Sequence, residues 1–203
     1  MRKSTRIVAT LLGILAGLAG LEHGYFEILQ GNVRPTIFMF PSWGPQQCDP
    51  ARIWHACEPA MSLLPNLLFT GMLTVLISLV ILVWSIAFVQ RRRGGSTLLL
   101  LSLAQLLLGG GFFPPLIGLV AGIAGTRIRK PLFGQPSTLT RFVASLWPWP
   151  LVILVAWLVG QFPLGALFND WLKSIIIPAL LLIVVLLPLS VWCGYAHDAT
   201  HTG

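Results

Sequence analysis

The chain has 203 residues, of which 56% are hydrophobic and 9% are charged. Several apolar runs are long enough to cross a bilayer, which is typical of an integral membrane protein, and no stretch is long enough to form a separate soluble domain. The formal net charge of +7 does not indicate nucleic acid as a partner, because the basic residues cluster at the ends of apolar segments, where they orient the chain and contact anionic lipid. We therefore predict an all-α integral membrane protein that forms one polytopic domain over residues 1–203.

The first predicted membrane span covers residues 7–30 and follows a short basic N-terminus. A basic start before an apolar run also resembles a secretory signal, although residues 17–19 form a poor cleavage site. Helical apolar character resumes after these residues and gives a segment of about 24 residues, so we expect it to remain as a span.

Three ionisable residues, Glu22, His23 and Glu27, lie inside this first span. A charge within the bilayer is costly, so such residues usually face protein or a polar cavity. One interpretation is a catalytic site for proton transfer in the outer half of the membrane, with Glu27 as proton acceptor, His23 as shuttle and Glu22 at its edge. The other is a structural cluster in which His23 and Glu27 pair across one helical turn and Arg34 supplies a nearby counter-charge.

Four glycines at intervals of four, three and four residues follow one face of the same helix and predict close packing against a neighbouring helix. They are Gly13, Gly17, Gly20 and Gly24. Glu27 continues this face, and Gln30 and Arg34 extend it outward. We therefore expect these polar residues to point into a helix interface, as ligand-binding or interface residues.

The predicted outer loop, residues 31–60, contains two cysteines and a further acidic residue. Cys48 and Cys57 are a candidate disulfide, because an oxidising outer compartment would allow the bond to form. Glu58 follows directly and is a candidate ligand or interface residue.

A metal site near the outer face is a separate hypothesis. His23, Glu27, His55 and Glu58 offer nitrogen and oxygen donors there. Their spacing matches no metal motif, so we predict no metal site, and the sequence does not assign a cofactor.

The second span is predicted over residues 63–89, and a third apolar block covers residues 97–125. Glycine loosens the helical backbone and proline removes a hydrogen-bond donor, and both occur in the middle of the third block. The residues at this break are Gly109, Gly110, Gly111, Pro114 and Pro115. The break is a second candidate for a ligand or interface site.

Two topologies fit the third block, a fifth span with a kink or a re-entrant hairpin. With the N-terminus inside, a single crossing places seven Lys and Arg residues inside and six outside, whereas a hairpin places ten inside and three outside. The positive-inside rule therefore favours the hairpin. Its arms are at or below the length of a full span, and irregular backbone at that depth must be enclosed by protein or line a wet cavity.

The last two spans are predicted over residues 146–167 and 171–195. Four spans and a hairpin put both termini in the cytoplasm, and the short basic N-terminus suits a bacterial inner membrane. We expect the residues after the last span, which include His197, Asp198 and His201, to form a frayed polar tail.

The sequence contains no catalytic motif that names a reaction, and it favours a protein that acts by binding. We expect an accessory or scaffold subunit for another membrane protein or for a second copy, or a lipid-binding module. One alternative is a membrane enzyme that uses Glu22, His23 and Glu27 on a lipophilic substrate. The other is a transporter or channel with its path at the Gly/Pro break, although the hairpin itself contains no charged residue.

Overall fold

The computed structural model describes residues 2–35, 39–41, 59–64, 66–131 and 136–201, and most of these residues are helical. The elements in chain order are α1 (Lys3–Leu29), β1 (Met39–Pro41), β2 (Pro59–Met61), α2 (Leu67–Ala87), α3 (Gly94–Leu107), α4 (Phe113–Arg127), α5 (Thr138–Ser145), α6 (Trp149–Leu167), α7 (Asn169–Ser174) and α8 (Ile176–His201). The two strands form one short antiparallel pair in the loop between α1 and α2. The predicted all-α class is confirmed.

Four of these helices, α1, α2, α6 and α8, are long and apolar enough to cross a membrane. They contain 27, 21, 19 and 26 residues, and at about 1.5 Å per residue even the shortest is close to the roughly 30 Å thickness of the hydrocarbon core. The prediction of four apolar spans is confirmed.

Helix α1 packs against both α2 and α4. At the closest approach of α1 and α2, a Cβ atom on Gly24 would lie 2.9 Å from the carbonyl oxygen of Gly71, and one on Gly71 would lie 2.7 Å from the carbonyl oxygen of Gly24. Glycine at both positions therefore allows the two backbones to touch, as small residues do in membrane helix pairs.

The third apolar block forms two helices, α3 and α4, that pack side by side and run in opposite directions. Gly95 near the start of α3 lies beside Gly125 near the end of α4, and Ser102 lies beside Gly118. Residues 108–112 make the turn between the helices and are called the tip turn below. Pro114 and Pro115 lie in the first turn of α4, where a missing N–H group costs nothing.

The C-terminal residues do not form the predicted frayed tail. Helix α8 continues to His201, and Asp198 is 3% exposed. The Asp198 carboxylate accepts hydrogen bonds from the backbone N–H groups of Ser4 (2.9 Å) and Thr5 (2.8 Å) and from the Thr5 hydroxyl (2.8 Å). The first N–H groups of a helix have no partner within the helix, and the side chain before α1 caps none of them, so Asp198 supplies the missing acceptor from α8.

Candidate functional site

A buried group of polar residues, called the polar centre below, lies where α1, α2 and the tip turn meet. Its members come from α1, α2, α3 and the turn itself. They are His23, Glu27, Thr70, Thr74, Ser78, Gln105, Gly109 and Gly111.

Glu27 is the most unusual member, because its side chain is 0% exposed. Neither of its carboxyl oxygens accepts a hydrogen bond of good geometry from the described residues, although the Thr70 side chain is within hydrogen-bonding reach. Thr70 lies beside it, but the Thr70 hydroxyl donates to the carbonyl oxygen of Leu67 at 3.1 Å. Buried carboxyl groups are normally paired or hydrogen-bonded, so Glu27 has an unmet capacity to bind a donor or a cation.

His23 lies one helical turn before Glu27 and is 5% exposed. Its Nε2 atom is 3.8 Å from Glu27 Oε1, which is longer than a hydrogen bond, and it has no other partner in the described part of the chain. The two side chains are therefore neighbours that do not satisfy each other.

The tip turn covers both residues. A Cβ atom on Gly109 would lie 2.9 Å from Glu27 Oε2, and one on Gly111 would lie 2.7 Å from Cε1 of the His23 ring. Both glycines also have positive φ angles, +100° and +71°, which other residues rarely adopt. Two features that the sequence singled out separately, the charges in the first span and the glycine-rich break, thus meet in one place.

Gln105 joins the tip turn to α2. Its Nε2 donates to the Ser78 hydroxyl at 2.8 Å, and its backbone carbonyl accepts the N–H of Gly110 at 2.8 Å. The Thr74 hydroxyl donates to the carbonyl of Leu108 at 3.1 Å. Oε1 of Gln105 has no partner among the described residues, so the centre contains three oxygen acceptors without donors.

The hydroxyl residues of α2 were not among the predicted site residues. Thr70, Thr74 and Ser78 recur at intervals of four residues in an otherwise apolar helix, and all three are 0% exposed. This spacing places them on one helix face. The pattern was available in the sequence and marks the face that α2 turns toward α1.

Glu22 does not join the polar centre. It lines a separate cleft of about 260 Å³ on the side of α1 that faces α4 and α6, together with Gln161, Phe162 and apolar residues. Neighbouring residues on a helix point about 100° apart, so Glu22 and His23 face different helices. The three ionisable residues of the first span therefore serve two places.

The remaining candidates lie elsewhere. The Gln30 side chain donates to the carbonyl of Phe26 at 3.4 Å, and Arg34 lines a groove on the surface of α2. Residues 48, 55, 57 and 58, which include the candidate disulfide and part of the metal hypothesis, lie outside the described residues. Within the described ranges no group of three or more His, Cys, Asp or Glu side chains is arranged to hold a metal ion.

The polar centre can bind a positive charge or a hydrogen-bond donor, because its unmet groups are two carboxyl oxygens, an amide oxygen and an imidazole nitrogen. Comparisons of the chain with protein-family models, with curated proteins and with solved structures gave no match. The site's own chemistry is therefore the basis for a functional proposal.

Proposed function

We propose that the protein acts by binding, and that its polar centre takes up one positive charge beneath the tip turn, either a proton or a monovalent cation in its place. The observation that carries this proposal is the buried Glu27 carboxyl group, which accepts no hydrogen bond of good geometry from the described residues. An ionised carboxylate at this depth is costly, and a single positive charge would neutralise it.

A protonated His23 is the internal alternative source of that charge. The 3.8 Å gap between His23 Nε2 and Glu27 Oε1 argues against it, because a proton on Nε2 would not complete a hydrogen bond to the carboxylate. An external proton or cation on the Glu27 carboxyl group would neutralise it without a charged His23.

The proposal extends the expectation of a binding protein to a specific site. An accessory role beside another membrane protein or a second copy is compatible with it. The enzyme alternative is less well supported, because Gly109 occupies the space next to the Glu27 carboxyl group, and a lipophilic substrate would have to displace the tip turn. Glu22, its third candidate residue, faces the other side of α1.

The proposal includes a membrane topology in which the α3–α4 hairpin is re-entrant and both termini are cytoplasmic, in a bacterial inner membrane. Helices α3 and α4 have 14 and 15 residues, which at about 1.5 Å per residue is shorter than the roughly 30 Å hydrocarbon core. The tip turn lies near the start of α2, where the N–H of Leu63 donates to the carbonyl of Leu107 at 3.0 Å, so in this topology the hairpin returns from close to the outer face. The antiparallel pair also brings the arginines before α3 and those after α4 to the same end, as the positive-inside rule favours.

Transport of the bound charge is a second candidate function, and one observation favours it. Residues 97–125 contain no charged residue, but α1 supplies Glu27 directly beneath the tip turn. Buried acidic residues that face irregular backbone are found along ion and proton paths. In this version the tip turn would move to admit and release the charge.

The binding proposal is tested with two matched substitutions, Glu27→Gln and Glu22→Gln. Glutamine has the shape of a neutral glutamic acid, so we expect the Glu27 variant to fold and to lose its response to the ligand. The Glu22 variant removes one charge from the same helix outside the polar centre. Because Glu22 acts electrostatically on His23, the comparison is made on the cation response, which should match that of the wild type.

The measurement is the thermal midpoint of the purified full-length protein at several pH values and in sodium, potassium and choline chloride at equal ionic strength. A ligand at a hundredfold excess over its Kd stabilises the folded state by about 2.7 kcal/mol, a shift that is easily measured. If the thermal midpoint depends on Glu27 through pH alone, the ligand is a proton. If it depends on Glu27 through the presence of sodium or potassium, the ligand is that cation. If Glu27→Gln keeps the full wild-type response, the polar centre is not the binding site.

The transport version is tested with the protein reconstituted in vesicles. Cation or proton flux that is lost in Glu27→Gln and kept in Glu22→Gln supports it. Binding without flux would leave the protein as a binding module and exclude the transport version.

A further inference from the structure

A long apolar groove on the surface of α2 lies apart from the polar centre. It has a volume of about 700 Å³, within the range of small-molecule sites in proteins. Its lining residues are Arg34, Leu64, Asn66, Phe69, Met72, Leu73 and Leu76.

The floor of the groove is one stripe of α2. Phe69, Met72, Leu73 and Leu76 are spaced at three and four residues and so share a helix face. Phe69 and Leu76 are 56% and 58% exposed, whereas Thr70 on the face toward α1 is fully buried. The stripe is therefore turned away from the protein interior.

The length of the groove matches one leaflet of a bilayer. From Asn66 at the start of α2 to Leu76 there are ten residues, which at about 1.5 Å each cover roughly 15 Å. The hydrocarbon core is about 30 Å thick, so the groove extends from the membrane face to near its middle. One extended acyl chain would occupy it.

The polar end of the groove carries a positive charge. Arg34 is its one charged lining residue, and no acidic side chain is present among the described residues that line it. The Asn66 amide is already engaged, because its Oδ1 accepts the N–H of Phe69 and its Nδ2 donates to Asn32. Recognition of a headgroup at this end therefore falls to Arg34.

We infer that this groove holds one acyl chain of an anionic phospholipid whose phosphate lies on Arg34. The apolar stripe, its length of one leaflet and Arg34, the one charged side chain among its described lining residues, together fit this ligand. A zwitterionic lipid would also place a phosphate there, but it would bring its own cation next to Arg34, so the charge favours a lipid with a net negative headgroup. The inference is independent of the polar centre.

The test uses full-length protein in nanodiscs doped with a phospholipid that carries a photoreactive diazirine in its acyl chain. The probe is used with a phosphatidylglycerol headgroup and, in parallel, with a phosphatidylcholine headgroup. Crosslinked peptides are located by mass spectrometry. The exposed apolar residues Val152 and Ile153 of α6 are the internal reference.

We expect crosslinks to α2 residues 69–76 to be about fivefold more frequent with phosphatidylglycerol than with phosphatidylcholine after normalisation to α6, the preference of one arginine near a membrane surface. Arg34→Gln should remove the preference and Arg34→Lys should keep most of it. Arg91→Gln, at the far end of α2 and outside the groove, should leave it unchanged.

Several results would overturn the inference. Equal labelling by the two headgroups, or a preference that survives Arg34→Gln, would show that the groove does not select an anionic lipid. Crosslinks between two protein copies at Phe69–Leu76 in place of lipid adducts would show that a second chain occupies it. Circular dichroism of each variant confirms that loss of labelling does not come from unfolding.

Discussion

Replacing Gly109 by alanine measures how tightly the tip turn packs on Glu27. The residue has a φ of +100°, and an added Cβ atom would lie 2.9 Å from both Glu27 Oε2 and Thr70 Cβ. Adopting a left-handed conformation costs a non-glycine residue about 1–2 kcal/mol, and inserting a methyl group into a packed interior costs about 1–3 kcal/mol more. We therefore expect Gly109→Ala to lower the free energy of unfolding by about 2–5 kcal/mol.

Gly31→Ala is the matched control, because Gly31 also has a positive φ, +72°, but its Cβ atom would meet none of the described residues within 4 Å. It should show only the conformational part of the cost, about 1–2 kcal/mol. Both variants gain the same stabilisation from a stiffer unfolded chain. The difference between them therefore reports the packing at Gly109 together with the extra backbone cost of its φ of +100°. Gly160→Ala, in α6, has no described residue within 4 Å of the added Cβ atom and no positive φ, and should be neutral or slightly stabilising.

The assay is reversible unfolding of the three variants and the wild type in mixed micelles, followed by circular dichroism. If the tip turn packs on Glu27, Gly109→Ala is clearly more destabilising than Gly31→Ala. If the two variants are equally stable, the tip turn does not pack on Glu27 and the proposed cover over the centre is wrong.

Two further predictions concern hydrogen bonds that hold the helices in place. Asp198→Asn should lower the free energy of unfolding by about 2–3 kcal/mol, because three hydrogen bonds to a buried charged cap are weakened. Asp170→Asn is the control: Asp170 is exposed and pairs with the half-buried Lys173, so its loss should cost less than about 1 kcal/mol. Equal effects in the same unfolding assay would contradict the capping role of Asp198. Ser78→Ala should cost about 1–3 kcal/mol, because it leaves the buried Gln105 amide without its acceptor. Ser190→Ala is the control, because the Ser190 hydroxyl donates to the carbonyl of Leu186 within its own helix, and it should have a much smaller effect. If Ser190→Ala lowers the free energy of unfolding as much as Ser78→Ala does, the Gln105 contact is unimportant.

The spans were predictable because hydropathy and length are local properties of the sequence. The same holds for the break at Gly109–Gly111, where composition alone marks a turn. The ends of the elements were less accurate: α4 begins at the prolines, and the last predicted span, residues 171–195, is divided into α7 and α8 with an extension to His201. Helix α5 and the two three-residue strands were missed because such short elements carry little periodic signal.

The arrangement of the site was not predictable, because it depends on contacts between residues far apart in the chain. Nothing local to Glu27 indicates that Gly109 lies against it, and nothing in the polar C-terminal sequence indicates that Asp198 caps α1. Glu22 was grouped with His23 and Glu27 because the three are close in sequence, but on a helix that closeness does not place them on one face. By contrast, the spacing of Thr70, Thr74 and Ser78 was a usable signal of a buried polar face.

The most direct test of the central claim is an infrared difference spectrum of the wild-type protein and its Glu27→Gln variant, recorded in choline buffer and again after addition of sodium or potassium. In choline buffer we expect the Glu27 carboxyl group to carry a proton and to show the carbonyl band of a neutral acid. We expect this band to be replaced by a carboxylate band only after addition of a cation that binds at Glu27. An ionised Glu27 in choline buffer, with no bound cation and with His23 protonated beside it, would contradict the account and make the pair an internal structural element.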